Sequence, residues 1–423
     1  MNTSENYSRF RWLVLGQNVI ITMCAAFVMI SFAPLMGVIA KDLGISIGAA
    51  SFGFMGLHML AMAVGCLLSG NLVDRFGIFP VLNCSIAVLL VSNASLPWLG
   101  HSYWPTVAIR VVEALACAPA FVAIGPAAAI WFPPRETGAV LGVQSMAISC
   151  GIIFGLIASP SLAVSSGSWQ TGIALLSVGI GAAMVFVIAV SVVSKRHSPA
   201  APVEATISAP ASISKLVGTR PFIAGILAMS CGVWTQQTFN SLTPGYLAVL
   251  PPMGLGVGAV VAGKLMTTVL VAGVIASILG GVLVDKVFRG QVRPVVLTGF
   301  VLFAICPILL MTPQICNQRS ALILCLMLTG AATPFINPVL LAFAAKTFPP
   351  SVVGRVIGSW MGVALFSGAA GVMVGSAELS STGTYRLSME IISAIAVLGF
   401  LTALFVYPAK EEIKECSTCA SEI

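Results

Sequence analysis

The sequence predicts an all-α integral membrane protein, with twelve transmembrane helices in two six-helix bundles related by a pseudo-twofold axis along the membrane normal. Three observations predict it. Of 423 residues, 58% are hydrophobic and only 8% are charged, whereas a soluble domain carries about 25% charged residues. Breaking the chain at Pro, Gly and charge clusters leaves twelve apolar runs near the roughly 20 residues that a membrane-crossing helix needs. The second half of the chain also repeats landmarks of the first, in order.

The runs fall at 12–36, 47–70, 78–98, 104–130, 137–163 and 169–194, then at 221–247, 256–284, 291–312, 320–345, 351–377 and 385–407. The polar start MNTSENYSRFRW leads into the first run without a cleavage-like site, so that run is predicted to be retained as a span. Between the sixth and seventh runs lies SKRHSPAAPVEATISAPASISKLVGTR, polar and rich in Pro, Ala and Ser. The expected organisation is therefore an N-terminal bundle at 1–194, a linker at 195–220, a C-terminal bundle at 221–408 and a tail at 409–423.

Lys and Arg in short loops set the orientation. With the N-terminus inside, fifteen basic residues lie on the inner side and only Lys41, Arg319 and Arg386 on the outer. Both termini and the linker are thus expected in the cytoplasm, with the protein in the cell (inner or plasma) membrane. Arg110 and Lys264 fall inside spans.

Several function classes lose support. The net charge of +7 is spread over short loops with no basic tract, so nucleic acid is not an expected partner. Eight of the eleven cysteines lie inside apolar runs, where Cys behaves as a small hydrophobe. For Cys416 and Cys419, in the tail sequence CSTC, a metal or redox role is weighed against an unstructured tail, and the tail is preferred. There is no GxxxxGK[ST] loop, metal cluster or nucleophile triad in the sequence. No catalytic residues, resident metal or cofactor are expected, and a proton or other ion gradient is the expected energy source.

The repeat is specific. SFAPLMGVIAKDLGISIG at 31–48 faces SLTPGYLAVLPPMGLGVG at 241–258, GNLVDR at 70–75 faces GVLVDK at 281–286, and FPPRETGAVLG at 132–142 faces FPPSVVGRVIG at 348–358. The offsets are 210, 211 and 216 residues. These landmarks, with the junction RVVEALACAPAFVAIGPAAAIWFPPRETGAVLG that starts at Arg110, resemble the major facilitator superfamily of secondary transporters. The resemblance covers the chain apart from the linker and tails. It implies two halves that rock about a midplane site lined mainly by spans one, four, seven and ten.

The same resemblance implies that Asp74 and Arg75 latch the cytoplasmic side, with Gly70 permitting close helix approach and Gly77 the turn. Asp285 and Lys286 are the corresponding pair in the second copy. Ile78, Phe79 and Pro80 stand where the family adds basic residues, so the latch could instead borrow Arg135. Ala114 replaces the glycine usual four residues after the span-four arginine, and span five lacks the Gly-Pro dipeptide of drug antiporters.

Charges within spans are costly and therefore informative. Arg110 and Glu113 lie three apart, on one helical face. Arg110 either holds an anionic group or tunes the protonation of Glu113; the alternative is a fixed ion pair. Lys264 is either an outer-cavity cation or a lysine snorkelling to headgroups. His58 is either a proton carrier or a hydrogen-bonded packing residue, and the packing role is favoured. Amides in hydrocarbon need partners and should face the bundle interior. This singles out Gln17 and Asn18 in span one; Trp234, Gln236, Gln237, Asn240 and Ser241 in span seven; and Thr333 and Asn337 in span ten. Solute contact is weighed there against hydrogen bonds between helices.

The predicted function is secondary active transport of a small organic solute by alternating access, proton-coupled or by exchange, with a slight preference for an organic anion such as a carboxylate. An exporter of drugs, siderophore-like or other amphipathic compounds is the alternative. A sensor that kept the transporter fold is a third reading. A monomer in contact with membrane lipid is expected.

Overall fold

The structure is a computed structural model. It describes residues 9–133, 136–194, 217–288, 291–348 and 350–407, which contain helices and turns and no strand. Most of the linker, the tail with Cys416 and Cys419, and Arg135 lie outside the described residues.

All twelve expected spans are helical. They are α1 (Arg11–Ile30), α2 (Leu57–Phe76), α3 (Ile78–Ala94), α4 (Tyr103–Val122), α5 (Thr137–Ser166) and α6 (Leu176–Ser194). The second set is α7 (Arg220–Ala248), α8 (Ala259–Val282), α9 (Arg293–Leu309), α10 (Arg319–Thr347), α11 (Pro350–Thr382) and α12 (Arg386–Ala403). Nine helical stretches among the described residues are long and apolar enough to cross a membrane. Of the others, α3 and α9 are shorter apolar helices, and α7 carries the polar run WTQQTFNS.

The chain divides into two compact units. The first is built on α1–α6 and includes the short segments Leu247–Val249 and Gly256–Lys264; the second is built on the rest of α7–α12.

Within the first unit, local chemistry sets the helix ends. The first span is broken inside its expected range by a tight turn at Ala33–Leu35, with Pro34 in its first turn, and runs past its expected end at 36 through a further helix at Met36–Asp42. A proline has no N–H to lose at that position, so the turn tolerates it. Ser46 caps the next segment, its Oγ accepting from the Ala49 N–H at 3.1 Å. That segment, Ile47–Ser51, passes into α2 through a π-helical turn at Phe52–Gly56. The first unit packs α5 onto α1, where Gly151 and Gly155 lie against the backbone of Met23 and Phe27. In this parallel alignment Ser159 Oγ donates to Ser31 O at 2.8 Å.

Gly77 ends α2 at φ +82° and ψ 164°, a region essentially closed to residues with a Cβ. The expected turn is therefore present. At Gly70, by contrast, a Cβ would meet no heavy atom of the described residues within 4 Å, so they do not show the close helix approach expected there. The second copy of this loop also ends differently, since α8 closes in a π-helical turn at Leu283–Val287.

In the second unit the fully buried Trp360 of α11 is ringed by Phe222, Phe343 and Phe348, at centroid distances of 6.2, 6.5 and 6.0 Å. Aromatic pairs of this kind add about 0.5–1.5 kcal/mol each beyond area burial. They tie α7, α10 and α11 together at one end.

Candidate functional site

The first unit is organised around Arg110. Its Nη1 donates to Glu113 Oε2 at 2.8 Å, and neither side chain has any solvent exposure. The same guanidinium reaches three backbone carbonyls: Nε to Phe54 O at 3.0 Å, Nη1 to Val28 O at 3.1 Å and Nη2 to Met29 O at 2.9 Å. Four of the five N–H donors of an arginine are thus engaged. The carbon of the guanidinium also lies 4.4 Å from the centre of the Phe32 ring, a cation–π geometry. Arg110 therefore joins α1, α4 and the π-helical turn ahead of α2. That turn bonds Leu57 N–H to Phe52 O, five residues back.

His58, at the start of α2, lies against the same residue. Its Nδ1 is 2.9 Å from the carbonyl oxygen of Arg110. A carbonyl only accepts, so Nδ1 carries the proton and Nε2 is a bare acceptor. Nε2 has no partner, and neither has Glu113 Oε1.

Below this node runs a polar seam. Cys117 Sγ donates to Ala25 O at 3.5 Å. One turn further, Thr22 Oγ1 donates to Ala120 O at 3.0 Å, and Gln144 Nε2 donates to Thr22 Oγ1 at 2.6 Å and to Ala120 O at 3.2 Å. Asn18, another turn along, donates to Val14 O at 2.9 Å. The amide orientations follow from these carbonyl acceptors. They leave Asn18 Oδ1 and Gln144 Oε1 as buried acceptors without a donor. Gln17 closes a separate bridge, with Nε2 3.4 Å from Ser191 Oγ, which in turn donates to Asn83 Oδ1 at 2.9 Å.

In the second unit, Asn337 Nδ2 donates to Gln236 Oε1 at 2.8 Å, joining α10 to α7. Both residues are half-buried, and Asn337 Oδ1 has no partner. Trp234 and Thr238 sit one turn apart on α7 against Gly371 of α11, where an added Cβ would come within 3.0 Å of the indole. Trp234 Nε1 and Thr238 Oγ1 have no partner either. Gln237 packs its Cγ against Gly368, and Asn240 is half-buried one turn beyond Gln236.

The structure thus brings Arg110 and Glu113 together in one unit and Gln236 and Asn337 together in the other. Lys264 is exposed on α8. In the loops, Arg75 is exposed and lies over the Phe76 ring at 5.2 Å. The side chains of Asp74, Asp285 and Lys286 lie outside the described residues, as does all of Arg135. Near that position, Arg11 at the start of α1 reaches Glu136 at 3.4 Å. Gln144 and Thr22 were not singled out from the sequence. The signal for Gln144 was there, because an amide inside the apolar run GVQSMAISC needs a partner as much as Asn18 does.

The family model for the Major Facilitator Superfamily matches residues 19–286 and 246–417. The chain is 26% identical over 378 residues to solute carrier family 49 member A3 of Xenopus tropicalis, covering 86% of this chain and 76% of that one. It is 29% identical over 119 residues to the probable chloroplastic anion transporter 4 of Arabidopsis thaliana. That match covers 27% of this chain and only 22% of the relative's length. In fold, the chain resembles a D-xylose–proton symporter with a TM-score of 0.73 at 15% identity, covering 94% of this chain and 98% of that one. It also resembles a bacterial homologue of the human lysosomal transporter Spinster in an inward-facing, unoccupied conformation, with a TM-score of 0.70 at 13% identity, covering 97% and 98%. With the family model spanning nearly the whole chain, this multi-pass membrane protein belongs to the Major Facilitator Superfamily and is a secondary transporter.

Proposed function

We propose that the protein carries a small polar organic solute by alternating access, coupled to a proton gradient or to exchange. The observation that carries this reading is the Gln236–Asn337 pair. Two half-buried amides meet on facing helices, Asn337 Oδ1 keeps an unused acceptor, and the indole N–H of Trp234, also on α7, is an unused donor. Polar groups at hydrocarbon depth are normally closed off by neighbours. A solute carrying both donors and acceptors would complete this set.

The preference for an organic anion has narrower support. Arg110 is compensated inside its own unit, so it is not a free cation. Lys264 is an exposed intramembrane cation that could draw an anion, and the name of the plant relative points to anion transport. Proton coupling would use the Arg110–Glu113 pair, whose carboxylate retains one unpartnered oxygen.

The test begins with a thermal-shift screen of the purified protein against a metabolite panel. Uptake of each stabilising compound is then measured in proteoliposomes with and without a pH gradient. Stabilisation by a polar metabolite followed by its uptake supports the reading. Stabilisation only by hydrophobic amphipaths, with no uptake of polar compounds, overturns it.

A further inference from the structure

Two proton-accepting atoms in the first unit are buried with nothing to donate to them, and both belong to groups gripped by the same arginine. His58 holds the Arg110 carbonyl through Nδ1 and leaves Nε2 bare; Glu113 holds the Arg110 guanidinium through Oε2 and leaves Oε1 bare. Buried polar atoms in native proteins nearly always have a partner, so two orphans around one residue call for a cause. The backbone is irregular at the same place, where the π-helical turn Phe52–Gly56 supplies the Phe54 carbonyl to Arg110 and ends just before His58. Such turns concentrate at functional sites.

The missing ligand must be very small, because His58, Arg110 and Glu113 are all fully buried. It is not a metal ion held by several such side chains: among the described residues no group of three or more His, Cys, Asp or Glu converges. It is not an anion, because both orphans are acceptors. We propose that His58 and Glu113 form a single exchangeable-proton site around Arg110, with the proton carried on His58 Nε2 or Glu113 Oε1 and the Arg110 guanidinium as the fixed positive charge near both. This rests on the proton-coupled reading above and adds His58 to it.

The charge balance gives the site its switch. With His58 neutral, Glu113 ionised and Arg110 charged, the node is neutral overall. Hydronium delivers one proton to either orphan and leaves as water, and the node then carries one net positive charge. A net charge in a dry interior is unfavourable, so the proton is retained only when water or a rearranged partner reaches the node. Binding and release are thereby tied to the state of the bundle. Among the described residues, the other titratable groups facing this region are Cys24 on α1, Cys66 on α2, and Cys117 and Tyr103 on α4. Cys117 and Tyr103 have backbone carbonyl acceptors, at Ala25 and Ala49. None of these four brings a charge of its own in the thiol or phenol form.

The test is direct because the chain has only three histidines, His58, His101 and His197. The full chain, labelled with ¹⁵N at histidine and reconstituted in lipid, is titrated from about pH 5 to 9, the range that brackets histidine. Its imidazole signals are followed by solid-state NMR, with His58→Gln assigning the signal. The proposal expects the His58 signal to change from the neutral Nδ1–H tautomer to imidazolium in this range, with a midpoint that moves in Glu113→Gln. A His58 signal that stays neutral throughout in the wild type overturns it, and that outcome needs no folded variant. So does a titration indifferent to Glu113→Gln in a variant that keeps the wild-type thermal transition. If His58 stays neutral while uptake still follows a pH gradient, this inference fails and the coupling reading stands. If His58 titrates while uptake ignores the gradient, the coupling reading fails.

Discussion

Arg110 and Glu113 are three residues apart on one turn of α4, and their side chains meet at 2.8 Å with no exposure of either. Two opposite charges sealed in this way form a neutral unit. The three backbone carbonyls around the guanidinium make the pair a joint between helices as well as a candidate coupling group.

Arg110→Ala therefore leaves Glu113 charged and alone. Breaking a buried pair from one side costs about 3–5 kcal/mol, so the thermal transition of the purified variant should fall sharply and uptake should be lost. Arg110→Met combined with Glu113→Gln removes both charges and should recover most of the stability, because replacing a buried pair with uncharged groups of similar size is often close to neutral. Uptake driven by a pH gradient should stay absent in the double variant. A stable double variant with full gradient-driven uptake would show the pair to be structural only.

The amide pair in the second unit should behave in the opposite way. Asn337→Leu removes one hydrogen bond at a half-buried position, worth about 1 kcal/mol. Thermal stability should hardly change, while the stabilisation conferred by the transported solute should disappear. Retention of the ligand-induced shift would place solute contact elsewhere.

The two loop glycines separate cleanly. Gly77→Ala forces a Cβ into a backbone conformation that is costly by about 1–3 kcal/mol. Gly70→Ala adds a methyl to open space within a helix, where alanine is favoured over glycine by roughly 0.5–1 kcal/mol. Thermal unfolding should show Gly77→Ala destabilised and Gly70→Ala unchanged or slightly stabilised. Equal effects would contradict the geometry of the loop.

Lys264→Gln tests the anion preference. If the exposed ammonium attracts an anionic solute, the variant should raise KM several-fold at low salt with kcat and stability little changed, and the difference should shrink as salt screens it. An unchanged KM would assign Lys264 to the headgroups.

Much of this architecture is legible in the sequence because its causes are local. Span length, breaker residues and the repeated DR and DK loops mark the helices, and Gly77 marks the turn. Gly70 misleads because a glycine signals a possible close approach without naming what approaches. The π-helical turn is illegible, since FGFMG contains no residue that forces a π turn. Arg110 and Glu113 are visible as a pair from their spacing. The rest of the node is not, because the partners of Arg110 are the carbonyls of Val28, Met29 and Phe54, and a carbonyl leaves no mark on the sequence. For the same reason, the hydrogen bond that fixes the His58 tautomer appears only in three dimensions.

The central proposal is that this chain moves a polar solute and that, of the two proposed couplings, it uses the proton gradient. The most direct measurement is uptake, into proteoliposomes of wild-type protein, of the compound that stabilises it most in the thermal-shift screen. It is made with an imposed pH gradient, without one, and with a protonophore added. The account predicts accumulation above equilibrium only with the gradient, and its collapse to equilibration when the protonophore is present. Equal uptake in all three conditions would contradict it.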